Sequence, residues 1–517
     1  MKITSAESAP TPDLLARYLG GDPALSGRLG GAPGDEASVL QSLERCRARP
    51  YARATLVAGL LRFQHLVEAG EPALANSRAL LDENTFIVAT GQQPGLLTGP
   101  LYTLWKAVTA IAQARHLTRR LGIRFVPLFW VASDDHDLGE VEGCFLLNRA
   151  AEVQRFRVPL EPRGSPSAGI EVASSAATLF ETFLEALPDG ADRDLLRSFA
   201  APRMGERWPV WFGRILAHLF RSSGLVLFEP HMARDLLEPV LQAEARQPAR
   251  APSALRAGAE ALRSLGLEAS LPTDAPSGLF VLESGRRRRF DPDREGEAGL
   301  SPDAGLRAAV QSLVLPAPVV VAGPGEVAYW LQLTELFEAL GAPRPVLLPR
   351  LRATLIEPRV RRALTSLGLG DEGLFRSEEE LRSARPATHP ARAVQLAGEA
   401  DEVFGRLCRL TSGLDGLGGS VPKSCRKLEQ TFRTSLDRLI RQALDQEREQ
   451  QGVSERQLRL VAGTGRPRGL LQERVLNGLP FVASYGLELL ECIVERMDPC
   501  RFDHLLIEPD SGRPGSD

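Results

Sequence analysis

Asp134, Asp135, His136 and Asp137 place four ionisable side chains in four consecutive residues, within VASDDHDLGEVEG. A histidine among carboxylates can be oriented by one of them and take a proton from an amine. Carboxylate oxygens can also hold a divalent cation, for which Asp135 is the candidate ligand. The competing reading is an Asp-rich helix start, whose side chains accept backbone N–H groups and complement the helix dipole. TGQQPGLLTGPLYTLWKA, residues 90–107, offers a second chemistry. Gly91, Gly95 and Gly99 let the backbone turn sharply and approach a ligand, Thr98 or Gly99 can cap the next helix, and Pro100 suits its first turn. A phosphate or carboxylate could then sit against free N–H groups. AGPGEVAYW repeats the arrangement with Gly323, Gly325 and Glu326, the last equally suited to a helix first turn. Tyr329 and Trp330 could stack on a ring or join the core. Arg350 and Arg352, in LPRLR, could meet a carboxylate or phosphate or form surface ion pairs.

Each candidate follows an apolar run of strand character. Phe86 to Val88 precede the first glycine turn, Phe125 to Trp130 precede the acidic cluster, and Leu313 to Ala322 precede the second turn. Leu101, Leu104, Val108 and Ile111 then recur at helical spacing. Val327, Trp330, Leu331, Leu333, Leu336, Phe337 and Leu340 predict one helix closed by Gly341. Two strand, turn and helix units predict the halves of a doubly wound parallel sheet, with ligands at the carboxyl ends of its strands.

Composition narrows the class. At 517 residues there is room for two to four domains, and 62 Lys and Arg against 65 Asp and Glu leave no electrostatic footprint for nucleic acid. The Arg286 to Arg289 run reads as a solvated hairpin tip. MKITSAESAPTPDLL has no apolar signal region and no run of about 18 apolar residues occurs, which argues for the cytoplasm and against a membrane. Six cysteines without a CxxC pair predict free thiols. The absence of GxGxxG with a following acid disfavours an NAD-dependent oxidoreductase. Leu396, Ala400, Val403, Leu407, Leu410, Leu414 and Leu417 form a heptad seam, and Gly416, Gly418, Gly419 and Pro422 a turn. Cys425, Leu428, Phe432, Leu436, Leu439 and Ala443 predict the face of a returning helix.

In order and spacing, TGQQPGLLTGPLYTLWKA, FWVASDDHD, SPDAGLRAAVQ, AGPGEVAYW, LPRLRATLIEP and LLQERVLNGLPFVASYG resemble the bacillithiol biosynthesis cysteine-adding enzyme family, the cysteine ligases. The chain departs from that pattern at Asp303, where Asn is common, and at Ser312, where Asp follows Gln. It also lacks the paired histidines of class I aminoacyl-tRNA synthetases, and VPKSC only faintly echoes KMSKS. The resemblance implies an α/β fold: a Rossmann-like parallel-sheet core with two connecting insertions and an antiparallel α-helical coiled coil. It implies a ligase that joins the carboxyl of L-cysteine to the amine of glucosaminyl malate, with ATP activating the carboxyl as an adenylate or acyl phosphate and magnesium as a possible companion. The glycine turns would hold phosphate or malate oxygens, Lys106 or Arg350 would offset developing charge, and Gln92, Gln93 and Tyr102 would recognise sugar hydroxyls. His136 would receive the amine proton, oriented by Asp134 or Asp137. A nucleotidyltransferase of similar fold acting on another small acidic substrate, and a non-catalytic coiled-coil scaffold, are the alternatives.

Element order sets the expected boundaries. Core segments occupy 1–149, 223–246 and 303–375, and insertions occupy 150–222 and 247–302, with strand pairs expected from Val158 to Val172. A coiled coil at 376–465 offers a homodimer surface, and 466–517 packs on the core.

Overall fold

The computed structural model describes residues 1–283, 285–291, 299–383, 392–414, 416–417 and 420–510. It comprises two compact units, Met1–Pro358 with Pro467–Asp517, and Arg359–Arg466. The first is built on five parallel strands, Thr85–Gln92, Arg124–Val131, Val226–Phe228, Val319–Ala322 and Val346–Pro349. Across the sheet Thr85–Gln92 is central: the next two strands step outward on one side and the last two on the other. This is doubly wound order, with its reversal between Thr85–Gln92 and Val319–Ala322. Helices cover both faces, so the strands are near-continuous apolar runs, and Ile87, Val88 and Ala89 are fully buried.

The helix after the first strand, Tyr102–Leu121, presses Leu104, Trp105, Val108 and Ile111 into the core and ends on left-handed Gly122. Its N-cap is Leu101, with no side-chain cap. Thr98 and Gly99 therefore shape the turn instead of capping: Leu97, Thr98 and Gly99 have φ of 50°, 77° and 68°. The single helix expected after the second glycine turn is two pieces, Pro324–Trp330 and Thr334–Ala339. No strand occupies 158–172. Pro159, Pro162 and Pro166 remove donors a ladder would need, and the hairpin lies upstream, Gly143–Leu147 with Val153–Arg157. In the second insertion Leu279–Glu283 pairs antiparallel with Arg286–Arg289 and with Leu300–Pro302. A small sheet joins the chain's two ends: His504–Glu508 lies antiparallel to Lys2–Ser5 and parallel to Arg352–Leu355.

The second unit begins at Arg359, earlier than the expected 376, because the Asp371–Phe375 turn packs on the end of a long helix, Val421–Gly465. A Cβ on Gly465 would collide with the Leu374 carbonyl. The helix Arg392–Ser412 lies antiparallel to the long one. Phe404 stacks on Phe432 at 6.5 Å, Asp401 accepts from Arg433 at 2.7 Å, and Thr411 donates to Glu429. The expected leucine seam is thus rotated: Ala400 is buried, but Val403 and Leu410 are 50% and 66% exposed, as are Leu428 and Leu439 on the return helix. An aromatic stack and polar pairs close the helix pair, and the aliphatic stripe faces outward. Gly418 and Gly419 lie outside the described residues.

Candidate functional site

At the sheet reversal the strand ends diverge and leave a crevice. Lys106, in the second turn of its helix, reaches across it. Its ammonium donates to the Gly91 carbonyl at 2.7 Å and to Gln92 Oε1 at 2.9 Å, and pairs with Glu326 Oε2 at 2.6 Å. Glu326 also accepts the Gly323 N–H at 2.7 Å, so one carboxylate serves its own helix start and a buried ion pair. Burial pulls the Lys106 ammonium below its ordinary range and Glu326 pushes back. Gly91, Trp130, Arg307, Gln311, Glu326 and Trp330 line the cavity beside this pair. Tyr329 meets Arg307 there, and Trp330 also packs on Phe337 at 5.6 Å. Gly325 has open space around its Cα.

The first glycine turn is held from two sides. Trp208 Nε1 donates to the Pro94 carbonyl at 2.6 Å, and Asn477 Nδ2 donates to the carbonyls of Leu97 and Gly99 at 2.6 and 2.8 Å. A side chain at Gly95 would meet Gly99 Cα at 2.9 Å. Among the described residues the buried hydroxyls of Thr98 and Thr103 have no hydrogen-bond partner. Gln92 Nε2 lies 3.4 Å from the Tyr102 hydroxyl.

The acidic cluster follows Arg124–Val131, and its members part company. Asp134 turns toward His231, 3.4 Å away, not toward His136. His231 Nδ1 also lies 3.1 Å from Glu229, which takes the Ser133 hydroxyl. Burial pushes Asp134 above the usual carboxylate range, with His231 pulling back. Burial opposes protonation of His231, but the Glu229 hydrogen bond and the Asp134 charge outweigh it and raise its affinity. Asp135 Oδ2 accepts from Gln93 Nε2 at 2.7 Å and Oδ1 accepts the Asp137 N–H at 3.2 Å. Although burial opposes it, the Gln93 hydrogen bond and the Arg287 charge hold Asp135 below its ordinary value. His136 Nδ1 faces Arg287 Nη1 at 3.2 Å, with Asp135 at 3.7 Å. Burial and then Arg287 lower its proton affinity. Asp137 caps the Leu138–Val141 turn through the Gly139 N–H at 3.2 Å.

Arg350 is buried beside the second glycine turn, with its Nε 3.4 Å from where a Cβ on Gly323 would sit. It donates to Glu473 Oε1 at 2.8 Å and to the Leu351 carbonyl at 2.7 Å; both charged side chains are buried, and its guanidinium lies over the Tyr102 ring at 5.5 Å. The ion pair weighed for the surface is therefore interior. Arg352 is also buried, donating to Thr11 and to the Pro10 carbonyl. Among the described residues no group of three or more His, Cys, Asp or Glu is placed to hold a metal ion, and no helix is long and apolar enough to cross a membrane. All six cysteines are free.

Two family models match this chain: the N-terminal Rossmann-like domain of bacillithiol biosynthesis BshC at residues 1–298 and 295–351, and its C-terminal coiled-coil domain at 353–509. The chain belongs to the BshC family. A relative from Bacillus cereus strain B4264, named "Putative cysteine ligase BshC", is 25% identical and covers 94% of this chain and 96% of its own. Another of that name, from Bacillus cereus strain ATCC 10987, is 26% identical over 97% of this chain and 99% of its own. A solved chain described as an arginyl tRNA synthetase from Campylobacter jejuni aligns at 11% identity across 83% of this chain and 98% of that one. Its TM-score of 0.25 carries no argument.

The crevice also draws in residues that the sequence reading did not single out. Arg287, expected in a solvated turn, is 7% exposed; it donates to Ser301 and to the Pro302 carbonyl and covers Phe280 at 4.0 Å. Alternation along Arg286–Arg289 is the signal that would have found it, since Arg287 and Arg289 share the Phe280 face. Arg307 and Gln311 lie in SPDAGLRAAVQ and Asn477 in LLQERVLNGLP, both used above only as patterns. His231 and Glu229 just follow the Val226–Phe228 strand, a position that itself marks ligand-side residues.

Proposed function

We propose that this chain joins the carboxyl of L-cysteine to the amine of glucosaminyl malate, forming an amide in bacillithiol biosynthesis at the expense of ATP. The observation that carries the reading is the convergence, at the carboxyl ends of the parallel strands, of the Lys106–Glu326 pair, Arg307 and the Asp134 to His136 cluster. The name borne by the relatives supports the same chemistry. ATP supplies the leaving group that makes amide formation from a carboxylate downhill. The first glycine turn is the site proposed for the nucleotide, since among the described residues the buried hydroxyls of Thr98 and Thr103 have no hydrogen-bond partner. No step is assigned to a protein-bound magnesium ion, because among the described residues Asp135 belongs to no group of three or more His, Cys, Asp or Glu placed to hold one.

With Nδ1 facing Arg287, the neutral His136 ring carries its proton on Nε2 and acts as a donor to the carboxyl oxygen as the amine adds. Asp134, whose proton affinity burial raises, takes the amine proton, and His231 steadies the carboxylate. Gln92 and Tyr102 face sugar hydroxyls. Lys106 keeps its charge beside Glu326 and holds the strand end in place. The enzyme works in the cytoplasm, and a homodimer forms through the exposed aliphatic stripe of the second unit.

Mass spectrometry of the full chain with L-cysteine, glucosaminyl malate and ATP tests this. The expected result is the cysteinyl amide with AMP or ADP in equal amount. Nucleotide breakdown that is indifferent to cysteine, with no amide, would overturn the reading.

A further inference from the structure

We propose that Arg307 and Gln311 form a subsite for one small carboxylate at the sheet reversal, and that it holds a malyl carboxylate of the amine substrate. The helix Ala304–Val314 sets the two residues four apart, so they project from one face, and both line the crevice cavity. The Arg307 guanidinium meets the Tyr329 hydroxyl, and Glu326 and Asp135 lie in its field. Yet no described carboxylate stands within ion-pair distance of it. Gln311 is 8% exposed, and among the described residues its Nε2 has no hydrogen-bond partner. A buried donor left unmade is costly, so the cavity is complete only with an acceptor in it.

Charge selects the acceptor. Lys106 and Glu326 cancel, and Asp135 lies in the field of Arg287, 3.8 Å away. Arg307 feels Glu326 and Asp135 only at longer range and has no described carboxylate at ion-pair distance, which suits it to one negative charge. Its planar fork takes both oxygens of a carboxylate, and Gln311 Nε2 adds a third donor. A polyphosphate would crowd several negative charges against Glu326. Two kinds of carboxylate compete in the proposed reaction. That of cysteine must be released to react, and a bidentate arginine would stabilise its ground state. A malyl carboxylate is not consumed, so gripping it orients the amine at no such cost. The assignment to malate rests on the amide-forming reading above.

Calorimetric titration of the full chain with L-malate, glucosaminyl malate, glucosamine, L-cysteine and ATP tests it, beside steady-state kinetics. Arg307→Met and Gln311→Leu should each weaken L-malate and glucosaminyl malate by on the order of tenfold to a hundredfold. Affinities for glucosamine, cysteine and ATP should hold. Arg307→Lys should restore part of the loss, and KM for glucosaminyl malate should rise with little change in kcat. Unchanged glucosaminyl malate affinity in both variants overturns the subsite and leaves the reaction standing. A loss confined to cysteine or to ATP overturns the malyl assignment. Arg307-dependent L-malate binding by a chain that makes no amide supports the subsite and overturns the reaction.

Discussion

Glu326→Gln tests whether the crevice is organised by a desolvated charge pair. Lys106 is 4% exposed and its partner 25%, and the charges are 2.6 Å apart. At an effective dielectric of about 20 their gross attraction is about 6 kcal/mol. Removing one member of a buried pair costs about 3 to 5 kcal/mol net. The Gly91 and Gln92 acceptors stay with Lys106, which favours the lower end. A ceiling also applies, because Lys106 can shed its proton at neutral pH for roughly 5 kcal/mol. That escape fixes the sign of the pH dependence. In the variant the burial of Lys106 is unopposed, so the folded state binds fewer protons than the unfolded one. Stability therefore rises with pH up to the ordinary lysine range, by at most about 1.4 kcal/mol per pH unit. Denaturant unfolding from neutral pH to about pH 9.5 should show a deficit against the parent that shrinks with pH, and Lys106→Met in combination should recover most of it. A variant as stable as the parent at neutral pH, or a deficit indifferent to pH, would refute the reasoning.

Burial pushes His504 down to about 4, so the folded state stays neutral while the unfolded chain protonates below about 6.5. Stability should fall by about 3 kcal/mol as pH drops through that window and level off beneath it; His504→Gln should flatten the slope in urea titrations. Asp134→Asn should fold normally but slow amide formation by on the order of a hundredfold, and near-parental turnover by mass spectrometry would remove Asp134 from the chemistry. Gly99→Val sits at φ 68° and ψ −150°, backbone that glycine alone adopts readily, and should cost about 1 to 3 kcal/mol in stability, with a larger loss of nucleotide affinity by calorimetry. Leu410→Glu with Leu439→Glu charges an exposed stripe, so light scattering should report monomers while helicity persists; unchanged mass would exclude this face as the dimer contact.

Periodicity was enough for the sheet because its strands are buried on both faces. Phe86 to Val88 and Phe125 to Trp130 carry no polar residue that could mislead. The same test failed at 158–172, where three prolines remove ladder donors from apolar stretches, and in the leucine seam. A heptad identifies an apolar stripe without saying what covers it: Phe404 and Asp401 win the intramolecular contact with Phe432 and Arg433, and Val403 and Leu410 are left outside.

The site divides along the same physical line. Gln93, Asp135 and Glu326 stood out as candidates because each closely follows a strand end, and Lys106 because its helix starts from the first glycine turn. Residues reaching the crevice from the insertions and from the flanking helix did not, since their partners are far away in the chain. Arg287 meets His136 across 151 positions, and alternation within RRRR pairs Arg287 with Arg289 on one face without naming what that face meets. Arg307 and Gln311 share a helical face on spacing alone. Only the strand order turns that face toward the sheet reversal. Helical spacing gives the direction and topology gives the destination, so a cation with no described carboxylate at ion-pair distance and an amide donor with no described acceptor acquire meaning only when both are known.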